Sequence, residues 1–115
     1  MPLQISGMVV SEHPVEQISD DRNSLQPDDA VLLIVEDDPH YARVLRDLSH
    51  DKGFKVLIAQ RGAEALALAH EFHPTAVSLD VFLPDMLGWT ILNHLKQDPG
   101  TRHIPVQMQI GRAHV

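Results

Sequence analysis

The sequence predicts an α/β protein built on a doubly wound parallel sheet, and two observations carry that prediction. Short apolar runs recur at Ala30–Val35, Lys55–Ala59 and Ala76–Leu79. The segments between them place apolar residues at helical spacing. The first run reads AVLLIV with no polar interruption, as a strand covered on both faces does. Strands alternating with helices at this interval imply right-handed crossovers and parallel neighbours.

Size and composition agree with a single such unit. A chain of 115 residues makes one domain at most. Its 43% hydrophobic and 22% charged residues are ordinary for a soluble globular protein. No apolar run is long enough to span a bilayer, and the first residues lack the basic start and apolar core of an export signal. The absence of cysteine excludes a disulfide framework and a thiolate metal site, and fits a cytoplasmic protein. A net charge of −7 argues against a nucleic-acid surface, which needs clustered Lys and Arg.

Taken in order, residues 1–29 form an acidic, largely irregular linker. They carry Glu12, Glu16, Asp20, Asp21, Asp28 and Asp29 against Arg22 alone, together with Pro2, Pro14 and Pro27. Only Ile5–Val10 reads as a short strand, and the charge run reads as solvated. After the strand Ala30–Val35 come Glu36, Asp37 and Asp38, then Pro39, which suits a first helical turn. The spacing predicts a helix over His40–Lys52, with Tyr41, Val44, Leu45 and Leu48 on one stripe and Gly53 as its stop. A strand at Lys55–Ala59 and a helix at Ala63–Phe72 follow, the latter ended by Pro74. The third strand, from Ala76, delivers Asp80 at its tip. Trp89–Lys96 reads as a third helix, broken by Asp98-Pro99-Gly100, and a fourth strand begins at Ile104 and runs to Gln109.

Parallel neighbours present their carboxyl ends on one edge, so Glu36-Asp37 and Asp80 are expected to share a pocket there. Carboxylates that close repel one another. A divalent cation relieves the repulsion, and Mg²⁺ favours such oxygen ligands. A metal beside a lone carboxylate suits phosphoryl transfer, with the Asp as nucleophile. The plainer alternative is that the first acids cap a helix and Asp80 merely ends a strand; the shared edge favours the pocket.

The segments VLLIVEDDPHYARVL, GFKVLIAQRGAEAL and AVSLDVFLPDMLGW together resemble the receiver domain of two-component response regulators and hybrid sensor histidine kinases, over Ala30–Val106. The resemblance implies a flavodoxin-like fold with strand order 2-1-3-4-5. By position it implies Asp80 as phosphoacceptor, Asp37 as a direct Mg²⁺ ligand, Glu36 as an acid acting through water, and the backbone carbonyl of Phe82 as a further ligand. Asp38 lies one place beyond the acidic pair and is left out. Pro84 and Gly88 match the loop after the phosphoacceptor, whereas Leu87 replaces the Asp or Asn often found before that Gly. The implied partner is a histidine kinase or a histidine phosphotransfer domain. No kinase motif lies in these residues, so an enzyme is not expected.

The pattern implied by the resemblance stops short at the carboxyl end. A Ser or Thr that contacts the phosphoryl group is expected at position 110, where Ile110 stands. The strand-five Lys, strand five itself and the last two helices are not matched. Ile110–Val115 reads IGRAHV, which the adapter-like DNA string ATCGGAAGAGCACACGTC encodes. The expectation is therefore a truncated receiver over 30–109 and a non-native tail over 110–115. Two other functions are weighed. A Mg²⁺-dependent phosphohydrolase needs a general acid two residues after its nucleophile, where this chain has Phe82. A pseudo-receiver binds partners without phosphorylation. His40, His50, His70, His73 and His94 lack the spacing of a zinc helix.

Overall fold

The computed structural model of the protein describes residues 17–110. The predicted strand at Ile5–Val10 and all of the tail beyond Ile110 lie outside the described residues. Seven elements follow in order: β1 (Val31–Val35), α1 (Pro39–Asp51), β2 (Lys55–Ala59), α2 (Gly62–Phe72), β3 (Ala76–Asp80), α3 (Gly88–Gln97) and β4 (Val106–Gln109). Residues 17–29 contain neither helix nor strand.

All strand pairs are parallel, in the order β2-β1-β3-β4. This is the flavodoxin-like order through its fourth strand, and no fifth strand occurs among the described residues. The register sets Val35 beside both Ala59 and Leu79, and Asp80 beside Gln109. The residues that follow Val35 and Leu79 therefore leave the sheet at one level on one edge.

Alternation along the strands explains the double winding. Leu33, Val35, Leu57, Val77 and Leu79 join Leu68, Ala69, Ile91, Leu95 and Ile104 in the core on the α2 and α3 side. Ile34, Val56 and Ile58 point the other way and meet Ala42, with Leu32 and Leu45 partly buried beside them. Each fully buried Leu or Ile contributes about 1.5–3 kcal/mol by leaving water, so the two faces pin the strands in register.

Helix boundaries follow from local chemistry. Asp38 caps α1 by accepting from the His40 amide at 3.0 Å, and Pro39 occupies the first turn. That gives Asp38 a structural role outside the acidic pair. Gly53, at φ +91°, lets the chain turn out of α1 into β2. At the end of α2, His73 takes the left-handed conformation at φ +48° and its amide reaches Ala69. β4 begins two residues later than the predicted Ile104. Ile104 is a buried plug beneath the sheet, and Pro105 contributes only its carbonyl, to Val77.

Candidate functional site

The common strand edge gathers the acids. Glu36, Asp37 and Asp80 each place a carboxylate oxygen within 4.8 Å of the others. Glu36 and Asp80 are buried, at 2% and 5% exposure, and Asp37 is half-buried. The placement is dictated by the sheet: Asp80 is the last residue of β3 and Glu36 the first beyond β1. The Glu36 amide donates to Ala59 at 2.9 Å, which ties this corner to β2 as well. One Glu36 carboxylate oxygen accepts from the Asp38 amide at 3.0 Å, turning the side chain back over the start of α1.

Two carboxylates about 4 Å apart repel by roughly 4 kcal/mol at an effective dielectric of about 20. Three such acids, two of them buried, form a donor set suited to a hard divalent cation with oxygen preference. They fit Mg²⁺ better than a softer metal, because no described His joins the cluster and the chain has no cysteine.

The loop after Asp80 is closed by backbone bonds. Val81 donates to Gln109 at 2.8 Å, Gly88 donates to Val81 at 2.7 Å, and Phe82 pairs with Leu87 in a short antiparallel bridge. Phe82 stands two residues beyond Asp80 and is 57% exposed. Gly88 is required here: a Cβ at that position collides with the Asp80 carbonyl oxygen. Ile110 directly follows β4 and carries no hydroxyl toward this edge.

One residue of this region escaped the sequence reading. Asp85 caps α2 from outside the helix, accepting from Gly62 at 2.8 Å and Ala63 at 3.1 Å. Arg61, at the N-cap position itself, makes no capping bond with its side chain. Burial alone would push the Asp85 carboxyl up, but the two amides and the nearby Arg61 hold it below its ordinary value. Met86 lies so closely over Gly62 that a Cβ there would push its side chain aside. The loop after Asp80 is thus anchored to the start of α2. An Arg where a capping residue belongs was the available signal, but nothing local named the acceptor 22–23 residues away.

The histidines stand apart from the acids. His70 links the end of α2 to Asp98 at the end of α3, with Nδ1 2.8 Å from the Leu66 carbonyl and Nε2 on the Asp98 carboxylate. His50 meets Asp21 at 2.7 Å.

A family model described as the response regulator receiver domain matches residues 32–113. Polar-differentiation response regulator DivK of Brucella ovis is 39% identical over 75 residues, covering 65% of this chain and 61% of that protein. The chain therefore spans about three-fifths of the length of the curated relatives it matches. Among solved structures, the N-terminal domain of a response regulator receiver protein from Methanoculleus marisnigri JR1 gives a TM-score of 0.66 at 35% identity, covering 68% of this chain and 63% of that one. The Mn²⁺-bound form of response regulator Rcp1 gives 0.62 at 27% identity, covering 69% and 63%. Strand order, the matched segment and these likenesses agree: the chain belongs to the response regulator receiver family.

Proposed function

We propose that this chain is a phosphoacceptor receiver, with Asp80 taking a phosphoryl group from a histidine of a kinase or phosphotransfer domain in the presence of Mg²⁺. The observation that carries the reading is the convergence of three carboxylates within 4.8 Å at the strand edge. In the proposed step an Asp80 oxygen attacks phosphorus, the phosphorus–nitrogen bond of the phosphohistidine breaks, and the imidazole departs with the electron pair. Glu36 and Asp37 would hold the metal, with Asp80 and the Phe82 backbone carbonyl completing the protein ligands. Bound there, Mg²⁺ offsets the mutual repulsion of the acids and neutralises phosphoryl oxygens. The Mn²⁺-bound form of Rcp1 supports a divalent site in a protein of this fold.

In the same reading, residues 30–109 are the receiver portion, residues 1–29 an acidic linker and residues 110–115 a non-native tail. The module is a cytoplasmic signalling element, not itself an enzyme, and contacts neither nucleic acid nor membrane through this segment. No helix among the described residues is long and apolar enough to cross a membrane.

Acetyl phosphate with Mg²⁺, read by intact mass and by hydroxylamine lability, tests the assignment. One labile phosphoryl adduct is expected on the full chain, absent in Asp80→Asn and sharply reduced in Asp37→Asn. A second reading is the pseudo-receiver, which binds partners without phosphorylation. It predicts no adduct at any Mg²⁺ concentration. Steady phosphate release without an adduct would instead mark a phosphohydrolase, which Phe82 disfavours because it supplies no general acid.

A further inference from the structure

Among the described residues the sheet has two borders, β2 and β4, and the acidic leader closes the outer edge of β2. Lys55 and Ala59 turn their main-chain groups toward β1: the Lys55 amide donates to Ala30, and the Ala59 carbonyl accepts from Glu36, both at 2.9 Å. Leu57, between them, faces the same way. Val56 and Ile58 turn outward, and all of their outward groups are met by three consecutive residues. The Asp21 amide donates to the Val56 carbonyl at 2.9 Å. The Val56 amide donates to the Asp21 carboxylate and the Ile58 amide to the Asp20 carboxylate, each at 2.8 Å. Arg22 Nη2 donates to the Ile58 carbonyl at 3.2 Å. Three side-chain bonds and one main-chain bond thus stand where a neighbouring strand would supply four main-chain bonds.

The arrangement is braced rather than incidental. Arg22 grips Asp20 through Nε at 2.9 Å and Nη2 at 2.7 Å, and the Asp20 side chain is only 3% exposed. His50 reaches Asp21 at 2.7 Å, and Arg46 donates to the Ser19 carbonyl at 2.9 Å. Burial alone would push the Asp20 carboxyl up, yet Arg22 and the Ile58 amide hold it below its ordinary value. A run of charge that reads from sequence as solvated is, at these two positions, fitted to the sheet.

We propose that Asp20, Asp21 and Arg22 form an edge guard that keeps β2 from pairing with a second copy of this chain. The edge is self-complementary. In an antiparallel pair centred on Leu57, Val56 of one copy lies opposite Ile58 of the other. Residues in that relation exchange both of their N–H···O bonds. The apolar side chains of β2 are already buried, Val56 and Leu57 at 0% and Ile58 at 3% exposure. An incoming strand therefore gains only main-chain bonds, which an identical edge related by a two-fold axis supplies in full. Unguarded edges of this kind are templates for chain-to-chain pairing. The guard works independently of any chemistry at Asp80.

Amide hydrogen exchange read residue by residue tests the proposal, using the full chain, an Asp20→Ala/Asp21→Ala/Arg22→Ala variant and an Asp20→Asn/Asp21→Asn variant. In the wild type, Val56 and Ile58 are expected to exchange slowly at every protein concentration. In the alanine variant they exchange about tenfold faster when dilute and slow again as concentration rises, while Leu57 and the β1 and β3 amides stay protected throughout. The asparagine pair keeps side-chain oxygens as acceptors and should follow the wild type. Three results would overturn the proposal. The first is fast exchange at Val56 and Ile58 in the wild type. The second is exchange in the alanine variant that concentration does not slow. The third is loss of protection across β1 and β3 in that variant, which would make the leader an obligate part of the fold instead of a guard.

Discussion

Single residues at this site divide into those that form the acidic cluster and those that hold the frame. Glu36, Asp37 and Asp80 were legible in the sequence because each follows an apolar run, and parallel register puts such residues on one edge. Asp38 was separated from them by position, and its bond to the His40 amide gives it a capping role. Asp85 was not legible, because a carboxylate that caps a helix more than twenty positions away leaves no periodic trace. Its removal has a defined consequence. Asp85→Ala leaves the Gly62 and Ala63 amides unmet by the side chain that now serves both, and should lower stability by about 1 kcal/mol, the ordinary worth of a cap. Urea unfolding followed by circular dichroism measures the change, and Asp85→Asn should recover part of it by keeping one acceptor oxygen.

At the scale of elements, every predicted helix and strand in the described chain is present, with ends shifted by one or two residues. The leader was the exception. Its described part, residues 17–29, holds neither helix nor strand, but its bonds to β2 were invisible because they join residues 35 to 38 positions apart. Lone Arg22 among acids was the one hint. Contacts between helix ends were equally hidden, and the one from α2 to α3 has a pH signature. Both ring nitrogens of His70 face acceptors, an arrangement that favours the doubly protonated ring. The Leu66 carbonyl and the Asp98 carboxylate raise its pKa, while the Gly100 amide and His70 lower that of Asp98. A histidine with a raised folded pKa contributes stability that is complete below its unfolded value of about 6.5 and is lost as pH climbs through the folded value. A carboxylate with a lowered pKa contributes stability that is present above its unfolded value of about 3.9 and is lost as pH falls through the folded value. The link is therefore strongest at mildly acid pH. An NMR titration of the His70 ring should give a midpoint above the ordinary histidine value, and Asp98→Asn should bring that midpoint down.

The whole molecule was the most legible level, since alternation of apolar runs and helical stripes admits few topologies. The order of β2, β1, β3 and β4 then follows from the resemblance and is met strand for strand. What no local pattern conveys is how far apart in the chain the pocket's contributors lie. Glu36 and Asp80 become neighbours only when β1 pairs with β3 across an intervening helix, strand and helix. The unfolded chain holds no preformed site, so a cation that binds the acids reports on completed folding. Mg²⁺ at about 100 times its dissociation constant should then add about 2.7 kcal/mol to stability and raise the thermal midpoint, whereas Asp37→Asn and Asp80→Asn should blunt the rise. A melting curve run with and without Mg²⁺ reads this directly. A cation held by the acidic pocket would thereby act as a checkpoint on assembly, because only chains whose central strands have already found each other could hold it.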